Sequence, residues 1–170
     1  MMGNGVRVAT DLLTDRAELA ARLAAVFGHP DDPVAAVEQR AAELLPGRRV
    51  IVWEGDPQTF HFSYVSSSAE GVLGYPAAQW VTDPHFWAGT VIHPDDRSDA
   101  VAYCALATGQ GRDHDFRYRA VAADGRVVVL HDVVHVIKGR WRVATVLRGV
   151  MIDVTEEPGA GSAAASNPTR

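Results

Sequence analysis

The spacing of apolar positions changes twice along this chain, and the changes divide it. From Thr10 to Phe27, the residues Leu12, Leu19, Leu23 and Val26 recur near helical spacing among alanines, which predicts a helix stopped by Gly28-His29-Pro30. A second helix is predicted to open at Asp32-Pro33, with Asp32 as N-cap. It carries Val34, Val37, Ala41, Leu44 and Leu45 on one side, up to Pro46-Gly47. At Arg48 the period shortens. Val50-Ile51-Val52-Trp53 reads as a strand and Glu54-Gly55-Asp56-Pro57 as a turn. Phe60 to Val65 reads as a second strand, with Phe60, Phe62 and Tyr64 alternating against His61, Ser63 and Val65.

Residues 67–92 are broken by Gly74, Pro76, Pro84 and Gly89 into pieces too short for a long helix. They nevertheless carry Val72, Leu73, Tyr75, Trp80, Phe86, Trp87, Val91 and Ile92, which predicts a packed cover rather than a loose loop. A longer helix starts at His93-Pro94-Asp95-Asp96-Arg97. Pro94 suits a first helical position, and the two aspartates sit at the positive end of the helix dipole. It runs to about Thr108, with Val101, Cys104 and Ala105 at i, i+3 and i+4. Three strand-like runs follow: Asp113 to Ala122, Val127 to Ile137, and Trp141 to Val154. Ala123-Asp124-Gly125-Arg126 is a hairpin turn between the first two. Two helices, two strands, a helical cover, one longer helix and three antiparallel strands make an α+β pattern, a five-stranded sheet with helices gathered on one face.

Composition narrows the function classes. With 47% apolar residues the chain can bury a core, and a formal charge of −5 argues against a broad nucleic-acid footprint. No window approaches the roughly 20 apolar residues of a membrane span, and the N-terminus lacks the flank and run of a secretory signal. A cytoplasmic protein is expected, without nucleic-acid or membrane partners. Cys104 is the single cysteine, so no internal disulfide forms.

Several short motifs then stand in one order. Phe62-Ser63-Tyr64-Val65-Ser66, Val72-Leu73-Gly74-Tyr75, the aromatic Trp80 and Phe86-Trp87, and Ile92-His93-Pro94-Asp95-Asp96-Arg97 come first. Phe116-Arg117-Tyr118-Arg119 with Asp124-Gly125, and Gly149-Val150-Met151-Ile152-Asp153-Val154-Thr155, follow. Together they resemble a PAS domain of the bacterial subtype with an aromatic cover and HPDD motif. The resemblance implies a PAS domain over residues 48–157, with strand order 2-1-5-4-3 and a helical N-terminal cap over 10–47. A disordered start (1–9) and tail (158–170) are expected outside it. It also implies a sensory or interaction module that holds a small ligand, a cofactor or nothing between sheet and cover. Homodimerisation through the N-terminal helices or the sheet face is expected. Output passes to a separate effector protein, or the sequence is a piece of something longer.

The residues that carry chemistry in such domains have only partial counterparts in this chain. Flavin-binding relatives use a cysteine before the long helix, whereas Cys104 lies within it and reads as a buried structural thiol. Haem-binding relatives usually supply a histidine from that helix, and none lies between Asp95 and Thr108. His93 is read as a helix cap, while His85 in the cover is a weaker candidate ligand. His131 and His135 share one strand face but are about 13 Å apart, too far to bind one metal ion directly. Val128, Leu130, Asp132, Val134 and Val136 form the other face, and as both faces are largely apolar, periodicity does not choose between them. Inward, the imidazoles could hold a ligand; outward, the preferred reading, they lie on a dimer-facing surface. His114-Asp115 and His131-Asp132 would suit a cone-fold α+β hydrolase or isomerase, but adjacent strand residues point to opposite faces. The expected reading is a sensor that is not an enzyme, with a haem- or flavin-binding sensor and a cone-fold enzyme as alternatives. The expected pocket is lined by Trp80, Phe86, Trp87, Val101, Cys104, Phe116, Tyr118 and Val150.

Overall fold

The computed structural model describes residue 18 and residues 20–157, and divides between Pro46 and Gly47 into two compact units. The expected N-terminal and C-terminal disorder, and the start of the first predicted helix, lie outside the described residues. In the first unit, residues 20–27 are helical (α1) and Val34–Leu44 forms α2. Leu23, Val26, Phe27, Val37, Ala41 and Leu45 are buried, the stripe that helical spacing predicts. Arg40 of α2 donates to the carbonyls of Val26 (2.9 Å) and Phe27 (3.2 Å), satisfying orphan groups at the end of α1. Asp32 is not the N-cap expected of it. Pro33 occupies that position, and the Asp32 carboxylate instead accepts from the His29 amide and pairs with Arg40 at 3.1 Å.

The second unit is one antiparallel sheet with helices on one face. Its strands are β1 (Val50–Gly55), β2 (Phe62–Val65), β3 (His114–Val121), β4 (Val127–Lys138) and β5 (Ala144–Asp153). They lie in the order β2-β1-β5-β4-β3. Between β2 and β3 come α3 (Ser68–Leu73), α4 (Ala77–Thr82), a π-helical turn (Trp87–Val91) and α5 (Pro94–Gly109). Apolar alternation sets the inner face of the sheet. Ile51 and Trp53, Leu147 and Met151, Val128, Leu130, Val134 and Val136, and Phe116 and Tyr118 pack with the aromatic cover in one core.

The strands and α5 depart from the expected pattern in places. In β2, Tyr64 pairs with Glu54 and Phe62 with Gly55, leaving Ser63 as an extra residue. This bulge lets Phe62 and Val65 both enter the core, where strict alternation would separate them. Phe60 precedes the strand, at φ +58°, rather than belonging to it. In α5 the buried stripe is Asp96, Ala100, Cys104, Ala107 and Thr108, while Ala105 is exposed. Trp141 opens no strand: it sits in a tight turn at φ +66°, 89% exposed, and β5 begins at Ala144.

The HPDD and FRYR segments turn out to be partners. The His93 ring accepts from the Asp95 amide, capping α5 as expected. Asp96 does more than complement the dipole. It is buried, and its carboxylate accepts from the Arg119 backbone N–H (2.8 Å), Nε (3.0 Å) and Nη2 (2.6 Å), clamping α5 to β3. The Asp-x-Thr end closes similarly: Asp153 accepts from the Thr155 amide and hydroxyl, and the Thr155 hydroxyl accepts from the Val129 amide at 3.0 Å.

Candidate functional site

The middle of the inner sheet face is not uniformly apolar. In β4, Asp132 stands between Leu130 and Val134, opposite Phe116 on β3 and Met151 on β5, and is 1% exposed. Its two carboxylate oxygens each accept one hydrogen bond: Oδ1 from the Trp53 indole N–H (3.1 Å) and Oδ2 from the Tyr118 hydroxyl (2.9 Å). Trp53 lies two strands away, on β1. It reaches Asp132 because its register partner on the intervening strand is Gly149, and a Cβ there would run into the indole. The Trp87 indole N–H donates to the Tyr118 hydroxyl at 3.0 Å. A polar chain therefore runs from the π-helical turn of the cover, through Tyr118 and Asp132, to β1. π-Helical turns are common at functional sites.

Neither donor to Asp132 is charged, and among the described residues no cationic side chain pairs with it. Burial pushes its carboxyl up to about 7, against the opposing pull of the Tyr118 and Trp53 hydrogen bonds. Burial and the neighbouring carboxylate raise the Tyr118 phenol well above its ordinary value. A cavity with room for about one water molecule opens beside Asp132. Trp53, Phe60, Phe62, Trp87, Cys104, Asp132 and Met151 line it. Rings of its wall meet edge to face, Trp53 with Phe62 at 5.5 Å and Phe60 with Trp87 at 5.8 Å.

Cys104 closes the α5 side. His114 donates from Nδ1 to the Arg112 carbonyl at 2.8 Å, which leaves Nε2 to accept from the Cys104 thiol at 3.4 Å. Burial pushes the thiol up to about 12 and lowers the imidazole, so both are neutral near pH 7. That is the opposite of an activated thiolate.

A family model described as the PAS fold matches residues 62–151. The chain belongs to the PAS family. Among solved structures, the N-terminal domain of a diguanylate cyclase with PAS/PAC sensor from Marinobacter aquaeolei is 35% identical. The match covers 64% of this chain and 97% of that one at a TM-score of 0.57. A sensory box histidine kinase/response regulator from Burkholderia thailandensis is 21% identical over 70% of this chain and 85% of that one, at a TM-score of 0.55. The PAS domain of a protein from Colwellia psychrerythraea is 16% identical over 71% and 98%, at 0.54. The last two share the fold. No curated protein matches. PAS domains are sensory and signalling modules, and this chain is one of them.

Against the expected pocket of this PAS domain, the structure brings Trp87 and Cys104 to the cavity wall. Tyr118 is one bond away, as the donor to Asp132. Phe116 packs beside it, ring centroids 5.3 Å apart. Trp80 and Phe86 are core: Trp80 is fully buried against Phe62 and Phe86, and its indole N–H donates to the Tyr75 carbonyl. Val101 is half-buried at the core margin. Val150 is misplaced in the expectation. It pairs with Val52 and Val133 and faces away from the cover, because Gly149 and Met151 take the inward positions of β5.

Trp53, Phe60, Phe62, Met151 and Asp132 were not expected at the site. Asp132 alone had a legible signal, a lone carboxylate in an apolar row. His131 and His135 face outward and pair with Asp115 on β3 (2.7 Å) and Asp113 just before it (2.8 Å), and His85 is exposed. Among the described residues no group of three or more His, Cys, Asp or Glu is placed to hold a metal ion. No described helix is long and apolar enough to cross a membrane.

Haem and flavin do not fit these residues. The cavity is far smaller than either group, Cys104 lies within α5 and bonds to His114, and α5 offers no histidine. Tyr103, a further oxygen donor on α5, packs at the core margin, edge to face with His114 and tilted against Phe116.

Proposed function

We propose that this PAS domain senses a small ligand held over Asp132, between the sheet and the helical cover. The observation that carries the reading is the carboxylate itself, buried beside a cavity and bonded through Tyr118 to Trp87 of the cover. A guest at Asp132 changes a hydrogen-bond chain that joins β1, β3, β4 and the π-helical turn. Its presence is thereby converted into a shift of the cover against the sheet. Catalysis has little support: the neutral Cys104–His114 pair is a poor nucleophile, and the outward histidines pair with single aspartates. Output in this reading goes to a second copy of the chain or a separate effector protein.

The test is a panel of small cationic, neutral and anionic compounds, read by thermal shift and tryptophan emission on the intact chain. At least one class should raise Tm and move the emission of Trp53 and Trp87. Cys104→Met, which extends a side chain into the cavity, should abolish the response while far-UV circular dichroism stays unchanged. No response from any class, or a response untouched by the filling variant, would overturn the reading.

A further inference from the structure

The wall of the cavity points to the chemistry of its guest. We propose that the site takes the head group of a small organic cation, a primary or methylated ammonium, set against Asp132 and ringed by Trp53, Phe60, Phe62 and Trp87. This rests on the sensor reading above and names the ligand class for it.

Three observations converge. First, Asp132 is a buried carboxylate without a cationic partner among the described residues; each oxygen accepts one neutral donor and retains a lone pair. A carboxylate taken out of water is costly unless a positive charge compensates it, and an ammonium supplies both the charge and an N–H donor. Second, four of the seven lining residues are aromatic, the residue type whose π-electrons attract a neighbouring cation. Third, the rest of the wall is Cys104 and Met151, with no lysine or arginine. An anion would meet the Asp132 carboxylate with no cationic side chain among the described lining residues to receive it. Size agrees: room for about one water molecule suits an ammonium head, with any longer tail leaving past Phe60. Phe60 is the half-exposed member of the wall, held at φ +58° on the β1–β2 connection, and is the natural gate.

Proton and cation compete for the same carboxylate, so binding should strengthen as pH rises through about 7. The other titratable groups facing the cavity do not confuse this. Tyr118 from β3 and Cys104 from α5 stay protonated, and burial lowers the His114 imidazole, which faces Cys104, below its ordinary value.

The experiment titrates the intact chain with ammonium, methylammonium and ethylammonium chlorides by calorimetry and tryptophan emission. Potassium chloride, methanol and potassium acetate serve as controls, at pH 6 and pH 8. The expected result is saturable binding of the organic cations alone, tighter at pH 8, and at least tenfold weaker in Asp132→Asn. Phe60→Leu removes one ring without touching Asp132, and keeps the proposal testable if Asp132→Asn misfolds. It should weaken binding about two- to fivefold. Equal affinity in Asp132→Asn or unchanged affinity in Phe60→Leu would overturn the assignment. Uptake of methanol or acetate in place of the amines would also overturn it while leaving the sensor reading standing. If no compound of any class binds, both fall.

Discussion

Asp132 keeps company with two neutral donors and, among the described residues, no counter-charge, and its protonation is therefore linked to folding. Its carboxyl sits at about 7 in the folded chain, against 3.8 ordinarily. The folded state holds the proton more tightly, so this stabilisation is complete below about pH 4 and is lost as pH rises through about 7. The slope is about 1.4 kcal/mol per pH unit. In urea titrations the wild type should lose stability relative to Asp132→Asn between pH 5 and pH 8, then level off. A gap that ignores pH would show that the carboxyl does not protonate in the fold. Asp96 has the opposite sign. The Arg119 hydrogen bonds hold its carboxyl below the ordinary value, so its contribution is present above about pH 4 and fades as pH falls through the lowered value. Asp96→Ala should cost about 2 kcal/mol, because it strips a buried clamp whose arginine partner still reaches water. Its urea midpoint at pH 7 measures this.

At the scale of elements, the site depends on a strand that carries no side chain where one is expected. Gly149 in the middle of β5 gives the Trp53 indole passage from β1 to β4. Gly149→Ala should push the indole aside, break its bond to Asp132 and cost about 2 kcal/mol by overpacking. A red-shifted tryptophan emission in the folded variant would report the displaced ring, and unchanged emission would mean the sheet absorbs the methyl. The cover is tied down in a comparable way. The Tyr75 hydroxyl donates to the Val121 carbonyl, and Trp87 to Tyr118, so its short helices are positioned by bonds to β3.

For the whole molecule, the two units on either side of Pro46 frame a prediction about assembly. Light scattering on the intact chain should show a dimer; a version beginning at Arg48 should be a monomer if the N-terminal helices pair and a dimer if the sheet face does, and a monomer in both would sink the homodimer. Much of the architecture was legible beforehand. Periodicity located the strands to within a few residues. HPDD marked the start of α5 and Asp-Gly the turn between β3 and β4, while the apolar character of both faces of β4 left its inward face open. Those signals are local, because backbone geometry repeats over a few residues. The departures that shape the site are tertiary. The Ser63 bulge depends on pairing with β1, and Val150 faces outward because Gly149 and Met151 take the inner positions of their strand. Trp53 reaches Asp132 only across Gly149, a meeting of residues 53, 132 and 149 that no spacing in the chain reveals. By itself the sequence determined the family, the order of elements and the aromatic cover. Only the packing of four strands against that cover decided that a lone aspartate, in a row of valines and leucine, becomes the polar centre of the site.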